Sequence, residues 1–423
     1  MSDNSSEVYH QLDKVTRRER SRLIAHLVQR LGGQHLQLAE DVAQEAVLAA
    51  LSNWPYHGLP DNPAAWLTRV AGNKAIDYLR RHRREVDYQA ELDQRIIDDC
   101  GDHYQSYGVS CGDSLDPDIE LMLLCCHPEL PAVEQLALTL RTTCGFTARE
   151  LATILLCTES AIAQRLARAK RKLKQLDEKV LLANKAVDIQ QALAAIHKVI
   201  YLLFSLGYAP RYGDQLIRED TAMEAVRLAQ ALADHPRTNN PTTHALAALL
   251  YFQASRLAAR EDAQGLPILL PHQDRRRWNR EFIQRGFLHL QRAQASDTIS
   301  RYHIEAGIAS LYASSKNWQG IDWLAIGKLY AQLQTLTQSP VVTINASVAK
   351  ALAGDAHCAL HMLERIAVSE FIGRYAPYYI AKAEILQRLG RCDEASENFS
   401  RAIACGASRP VIEHLETRIA NLL

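Results

Sequence analysis

Apolar residues recur three and four positions apart along nearly the whole chain, whereas alternation of apolar and polar residues is scarce. The first spacing puts apolar side chains on one face of an α-helix, and alternation would indicate β-strands. We therefore predict an all-α fold. Residues 8–54 are expected to form two or three helices, with Gly32-Gly33 between the first and the second. The Trp54–Pro63 segment is dense in turn-forming residues, which predicts a loop.

Two of the predicted helices are strongly basic, and each has an apolar stripe behind its charge. The first begins near Pro63, where proline suits the first turn, and its Arg69–Arg84 part holds six basic residues and one acid. Its predicted buried side chains are Trp66, Leu67, Val70, Ile76 and Leu79. Its predicted solvent-facing side chains are Asn73, Lys74, Asp77, Arg80, Arg81 and Arg84.

The second basic segment, Phe146–Leu173, has the pattern of a helix-turn-helix, with Thr158 as the expected N-cap of its second helix. In this motif the second helix lies in the major groove of DNA, where Gln suits adenine, Arg suits guanine and lysines suit phosphates. The alternative is an amphipathic basic helix on a solvated surface. The predicted inner face comprises Leu151, Ile154, Leu155, Ile162, Leu166, Ala169 and Leu173. The predicted outward residues are Ser160, Ala161, Gln164, Arg165 and Arg168, followed by Lys170, Arg171, Lys172 and Lys174 toward phosphates.

The charge of the chain is clustered. The 423 residues include 48 basic and 48 acidic ones, so the formal net charge is zero and only local clusters argue for nucleic acid. Between the two basic segments, Glu85–Glu120 contains eleven acids and one Arg, which predicts a flexible acidic linker. The length and a hydrophobic content of 48% favour two or three packed domains.

The cysteines show no regular pairing pattern, and no apolar segment opens the chain, so we expect a reduced, cytoplasmic protein. The longest apolar candidate for a membrane span, Val199–Leu206, is short and contains Tyr and Ser.

Cys125-Cys126-His127 suggests a metal site, but zinc needs four ligands and no second Cys/His cluster lies nearby, which favours buried small side chains. Neither a cofactor nor catalysis is expected, since no Ser/His/Asp order and no phosphate loop occur.

At this point the sequence resembles a known family. Ala39–Leu51, AEDVAQEAVLAAL, is similar to the core-polymerase-binding helix in region two of extracytoplasmic-function (ECF) sigma factors. Pro63–Arg84 looks like the promoter-melting helix of the same region, and Pro128–Leu176 resembles their region four. The resemblance implies a protein that docks on core RNA polymerase and binds a promoter made of two spaced elements.

The same resemblance implies roles for individual residues. Asp41, Gln44 and Glu45 would face the polymerase. Asn73, Lys74, Asp77, Arg80 and Arg81 would engage the minus-ten element, and Ser160, Gln164, Arg165 and Arg168 would bind the minus-thirty-five element. The Trp54–Pro63 loop would hold a flipped base of the non-template strand, with Trp54, Tyr56 or His57 as the stacking group.

The spacing of small and large apolar residues in the C-terminal half predicts a structural repeat. Leu389–Ala402 matches the second half of a tetratricopeptide (TPR) unit. Aligning Gly354 on Gly390 puts Ala359 on Ala395, Leu363 on Phe399 and Ile366 on Ala402, with a period of 36 residues, which indicates irregular repeats. Leu121–Pro131 and Ile200–Ala233 resemble an ECF subgroup with a TPR-like C-terminal extension, although Arg260–Trp278 keeps only Gly265 of the several glycines that this subgroup has there.

Four parts are therefore predicted: sigma region two at residues 8–85, an acidic linker at 86–117, a region-four helix-turn-helix at 118–177 and a helical TPR-like domain at 180–423. The expected function is non-enzymatic initiation of transcription, modulated by the C-terminal domain, which is expected to take a peptide or protein ligand. Two alternatives remain: a helix-turn-helix regulator that acts without polymerase docking, and a TPR-type adapter. The Asp41–Glu45 helix favours the sigma factor, because a free-standing regulator does not need it.

Overall fold

The computed structural model describes residues 19–82, 115–155, 157–175, 189–210, 214–296, 298–366 and 370–422. Within these ranges the fold is all-α, which confirms the predicted class, and one isolated antiparallel bridge joins Glu261 to Pro267. Backbone contacts divide the chain after Val199 into two units. Most of the predicted acidic linker, residues 83–114, lies outside the described ranges.

The described part of the first unit consists of seven helices and the beginning of an eighth. They are α1 (residues 19–31), α2 (Leu36–His57), α3 (Pro63–His82), α4 (Pro117–Cys125), α5 (Ala132–Thr142), α6 (Ala148–Ile154) and α7 (Glu159–Gln175). The division between the units falls within α8 (Ile189–Tyr208). Gly32 lies between α1 and α2 as predicted. Its φ of +88° is one that a residue with a side chain rarely adopts, so glycine suits this turn.

The loop predicted at Trp54–Pro63 is shorter than expected. Helix α2 continues through Pro55 to His57, and only residues 58–62 separate it from α3. Trp54 is 1% exposed and its ring makes an edge contact with Trp66, 5.3 Å between centroids, so burial of this indole holds the last turn helical. Helix α3 begins at Pro63 as predicted, where the Asn62 side chain accepts a hydrogen bond from the Ala65 amide.

The second unit is built from helices that pack on their neighbours along the chain. After the end of α8 they are α9 (Glu219–Asp234), α10 (Pro241–Ala254), α11 (Arg280–Ala293), α12 (Arg301–Ser314), α13 (Trp323–Thr337), α14 (Pro340–Leu352), α15 (Ala356–Glu364), α16 (Glu370–Gly373), α17 (Ala376–Arg388), α18 (Cys392–Ala404) and α19 (Arg409–Ala420). Helix α10 is buried along most of its length and packs against α9, α11 and α12.

Two hairpins among the last helices contain the positions that the repeat prediction aligned. Gly354 and Gly390 lie in the turns of α14–α15 and α17–α18, at φ +101° and +74°. The small residues Ala359 and Ala395 are both completely buried, so the paired helices approach closely at these positions.

Candidate nucleic-acid interface

Helix α2 has one buried face and one exposed stripe. The buried face includes Ala39, Val42, Ala43, Ala46 and Ala50. The stripe contains the three residues implied to face a polymerase, Asp41, Gln44 and Glu45, which are all exposed. Leu48, 54% exposed, continues the same stripe and was missed by the sequence analysis, although it lies four residues after Gln44 and therefore on the same side. The exposed stripe of α2 therefore combines two carboxylates, an amide and one apolar side chain.

Helix α3 packs on α2 and carries a polar face. Asn73, Asp77 and Arg80 are exposed, as predicted. Lys74 is half-exposed, and its ammonium lies 2.7 Å from a carboxylate oxygen of Glu45. Arg81 belongs to the backbone of α3, but its side chain lies outside the described part of the chain, as does Arg84.

Of the three side chains implied to stack on a flipped base, Trp54 is excluded by its burial in the core between α2 and α3. Tyr56 is 85% exposed, and His57 is exposed with its Nδ1 3.1 Å from the Asn53 carbonyl. The two residues that remain available are neighbours at the end of α2. Tyr78 on α3 is a further exposed aromatic residue, 45% exposed, that the sequence analysis did not single out.

The helix-turn-helix forms at α6 and α7 as predicted. The Thr158 hydroxyl accepts a hydrogen bond from the Ala161 amide, which confirms it as the N-cap of α7. Leu151, Ile162, Ala169 and Leu173 are buried, whereas Ile154, Leu155 and Leu166 are partly buried. A capping box between Thr147 and Glu150 fixes the start of α6.

Three of the four residues predicted to contact bases lie on the exposed side of α7. Ser160, Gln164 and Arg168 are exposed. Arg165 is partly buried, because its guanidinium donates a 3.3 Å hydrogen bond to the Cys157 sulfur.

Three cationic side chains of α7 pair with acids. Arg168 donates to Glu134 at 3.0 Å, and the ammonium of Lys172 lies 3.3 Å from Glu129. Lys170 was predicted to contact phosphates, but it is partly buried and pairs with Glu40 of α2. Arg171 and Lys174 remain exposed.

The predicted core position of the two adjacent cysteines is confirmed. Cys125 and Cys126 are completely buried, and the Cys126 sulfur lies 3.3 Å from the Thr139 hydroxyl. Burial raises the pKa of Cys126 to about 12 and also raises the pKa of Cys125, so both thiols are protonated at neutral pH. Within the described ranges, no group of three His, Cys, Asp or Glu side chains has the arrangement of a metal site.

Helix α8 is longer and more apolar than the sequence analysis expected. Its 20 residues, Ile189–Tyr208, have the length and composition of a membrane span, but nearly half of them are buried. The core helix of a soluble protein has the same properties.

Comparison with known proteins assigns families to three parts of the chain. Residues 17–85 match Sigma-70 region 2, and residues 120–173 match Sigma-70, region 4. Residues 192–294 match a family of unknown function, DUF6596. A protein of Rhizobium meliloti (strain 1021), described as uncharacterized, is 35% identical over 401 residues, which are 92% of this chain and 91% of that protein.

The α2–α3 pair lies in the region 2 match, and the helix-turn-helix lies in the region 4 match. Because the two regions occur in the order of a sigma factor and the Rhizobium meliloti protein is related over nearly the whole length, the chain belongs to that protein's family and is an ECF-like sigma factor with a C-terminal DUF6596 region.

Proposed function

We propose that the chain binds core RNA polymerase through the exposed stripe of α2, directs it to promoters with two spaced elements and promotes initiation without catalysis of its own. The carrying observation is the stripe formed by Asp41, Gln44, Glu45 and Leu48, on a helix whose other face is packed into a core. A rigid helix with acids around an exposed leucine offers both an apolar contact and charge complementarity to a partner. The protein would act in the cytoplasm, where polymerase and promoter are found.

The DNA contacts are assigned to α3 and α7. Asn73, Lys74, Asp77, Arg80 and Arg81 would engage the minus-ten element, and Tyr56 or His57 would stack on a flipped base. Ser160, Gln164, Arg165 and Arg168 would bind the edges of the minus-thirty-five element, and Lys172 would contact its phosphates. Exposure of Gln164 and Arg168 supports this assignment, since major-groove contacts need side chains that protrude from the helix.

The C-terminal unit would modulate this activity as a TPR-like domain. Support comes from the two hairpins α14–α15 and α17–α18, in which glycines at the turns and buried alanines repeat at equivalent positions. Stacked hairpins of this type present concave grooves that suit peptides or other domains. A peptide or protein ligand of this unit is therefore part of the proposal.

The test is transcription in vitro with purified core polymerase and the promoter upstream of the protein's own gene. Asp41→Arg with Glu45→Arg should abolish both co-purification with core polymerase and transcription, because a protein interface tolerates like-charge juxtaposition poorly. Asp393→Arg with Glu397→Arg is the matched control, since these two acids are also exposed and four residues apart on a helix, α18.

The control should retain polymerase binding. Unchanged co-purification of the α2 variant would contradict the docking assignment and would favour a regulator that binds DNA without polymerase. Loss of DNA binding in every assay would favour an adapter.

A further inference from the structure

Three arginines of the second unit lie close together. Arg256 and Arg260 follow the end of α10, and Arg275 lies in a short 3₁₀ turn before α11. The Asn279 amide donates a 2.7 Å hydrogen bond to the Ser255 carbonyl, which attaches that turn beside Arg256. We call the three guanidiniums the arginine cluster.

Each guanidinium of the arginine cluster donates hydrogen bonds to neutral oxygen atoms. The acceptors are the Gln253 side chain for Arg256, at 3.2 Å, the Tyr208 carbonyl for Arg260, and the Tyr312 and Ser315 carbonyls for Arg275. Among the described residues, no carboxylate forms an ion pair with the cluster, although Glu261 acts on Arg260 from a longer distance.

The three positive charges repel one another. Burial lowers the pKa of Arg260 and of Arg275, and the charge of Arg256 lowers both further, while Tyr208 and Glu261 act in the opposite direction on Arg260. All three side chains remain protonated, because the pKa of arginine is too high for the proton to be lost in proteins. The cluster therefore holds positive charge that is partly removed from water and has no paired acid, which costs free energy.

Aromatic side chains surround the arginine cluster. The Arg260 guanidinium lies 3.6 Å from the centroid of the Tyr208 ring, and that of Arg256 lies 5.6 Å from the same centroid. The charge of Arg256 also acts on the hydroxyl groups of Tyr312 on α12 and Tyr330 on α13, which are both partly buried. Helices α8, α12 and α13 therefore all contribute rings to the surroundings of Arg256.

Two further hydrogen-bond donors lie beside the cluster. The Tyr208 hydroxyl and the Trp278 indole nitrogen are buried, and neither has a hydrogen-bond partner among the described residues. The Trp278 ring lies 4.6 Å from the Arg275 guanidinium, so both donors belong to the same group of side chains. This group offers positive charge and hydrogen-bond donors together.

A ligand that complements this group must carry negative charge and acceptor oxygens. The planar guanidinium fork binds carboxylates and phosphates in the same bidentate manner. The rings beside Arg256 favour a carboxylate on a peptide, because Arg, Tyr and Trp are the side chains that supply most of the binding energy at protein interfaces. Apolar side chains next to the acidic one can pack on these rings.

We propose that Arg256, supported by Arg260 and Arg275, binds an acidic side chain in a peptide segment of a partner protein. The proposal rests on the proposed function, which gives the C-terminal unit a peptide or protein ligand, and it adds the site and the chemical class of that ligand. The bound carboxylate compensates the charge of the cluster, so binding stabilises the second unit.

The uncompensated charge is tested by urea denaturation of the free full-length protein, followed by fluorescence. Arg256→Gln should unfold the second unit at the same or a higher urea concentration than the wild type, because it removes one of three like charges. Arg301→Gln is the matched comparison, since Arg301 is a partly buried arginine of the same unit that pairs with Glu305 at 2.7 Å. It should unfold at a lower concentration, because Glu305 loses its partner. A similar decrease in both variants would overturn the proposal, because it would give Arg256 a structural role.

The class of ligand is tested by selection from a displayed library of short random peptides on the full-length protein, with the Arg256→Gln protein used for counter-selection. Peptides that the wild type retains and Arg256→Gln does not should carry Asp or Glu at a common position. Arg276→Gln is the matched control, because Arg276 belongs to the same 3₁₀ turn as Arg275 but is 89% exposed and already paired with Asp274. It should retain the same peptides as the wild type.

A selected peptide, and its variant with the acid replaced by the corresponding amide, complete a double-mutant cycle with Arg256. The amide should weaken binding to the wild type about tenfold or more, the effect of losing a hydrogen bond to a charged group, and should have no further effect on Arg256→Gln. Equal effects of the amide on both proteins, or no peptide that depends on Arg256, would overturn the proposal. Binding of inorganic phosphate that depends on Arg256, without any such peptide, would overturn the assignment to a peptide.

Neither measurement uses polymerase or DNA. Failure of the protein to bind core polymerase would therefore refute the proposed sigma function and leave the result for the arginine cluster unchanged.

Discussion

The ammonium of Lys74 lies 2.7 Å from a carboxylate oxygen of Glu45, and this ion pair joins the helix proposed to melt the promoter to the helix proposed to bind polymerase. Both side chains are well exposed, at 38% and 57%, so the pair is screened by water and salt. Its role in stability is therefore small. Glu45 belongs to the proposed polymerase-binding surface and Lys74 to the proposed DNA-binding surface. Substitution of each residue should therefore affect a different activity.

We predict that Glu45→Gln and Lys74→Gln each change the free energy of unfolding by no more than about 1 kcal/mol, as for other exposed ion pairs. Glu45→Gln should weaken polymerase binding, whereas Lys74→Gln should bind polymerase normally and open fewer promoters. Thermal denaturation, core-binding titration and permanganate footprinting measure the three quantities. Equal loss of polymerase binding in both variants would show that Lys74 acts through Glu45 and does not contact DNA.

A second prediction separates base contacts from phosphate contacts on α7. Gln164→Ala or Arg165→Ala should relax preference for the upstream element by about 1–3 kcal/mol per lost base contact. Lys172→Ala should weaken binding to all sequences alike and lower the salt dependence by about one released counterion. Competition binding to upstream-element duplexes at several salt concentrations measures both effects. A sequence-independent loss for Arg165→Ala would assign Arg165 to a phosphate and reverse the proposed orientation of α7.

Sequence periodicity predicted the helices and the exposed positions Asn73, Asp77 and Arg80 of α3, and part of the exposed face of α7, because these depend on neighbours three and four residues away. It did not predict the burial of Glu40, whose partners Thr142 and Lys170 are 102 and 130 residues distant. Trp54 was placed in a loop on the strength of the adjacent prolines and glycine, but tertiary packing against Trp66 overrides that local preference. The amphipathic pattern of a helix shows which of its faces is buried, but it does not show which other helix covers that face.

The burial of Trp54 and the exposure of Tyr56 give a third prediction. Trp54→Ala should destabilise the first unit by about 3–5 kcal/mol, because it removes a large buried side chain and leaves a cavity. Tyr56→Ala should leave stability unchanged and weaken binding of the non-template single strand by about 1–3 kcal/mol, the contribution of one stacked base.

Chemical denaturation and binding to a fluorescent single strand in the presence of core polymerase distinguish the two effects. Normal strand binding by Tyr56→Ala would move the stacking role to His57.

A fourth prediction concerns the pH dependence of the second unit. His244 and His289 are buried with their Nδ1 atoms 2.9 Å apart, and burial together with this neighbour lowers the pKa of His289 to about 4. Burial also lowers the pKa of His244. A histidine with a lowered pKa in the folded state binds fewer protons than it does when unfolded. Stability is therefore full above the unfolded value near 6.5 and is lost as the pH falls from about 6.5 toward 4.

The free energy of unfolding of the second unit should decrease by on the order of 2 kcal/mol between pH 7 and pH 5. His289→Gln should flatten this dependence, since the substitution removes the group with the largest change in proton binding. Urea denaturation at several pH values, followed by fluorescence, measures it. The slope should be unaffected by replacement of the exposed His272, which lies in the same unit.

The fifth prediction tests control by the C-terminal unit. Truncation after Leu176 should change transcription in vitro, in either direction, without unfolding residues 1–176, because α1–α7 have a core of their own.

Phe399→Ala provides a smaller perturbation of the same unit. Phe399 is completely buried in the cluster that joins α14–α19, so its loss should destabilise the terminal hairpins by about 3–5 kcal/mol. If these hairpins carry the control, Phe399→Ala should shift transcription in the same direction as the truncation, whereas Leu324→Ala, at a position 77% exposed, should have no effect. Full activity of the 1–176 fragment at every promoter tested would exclude control from within the chain and would leave the C-terminal unit as an independent binding module.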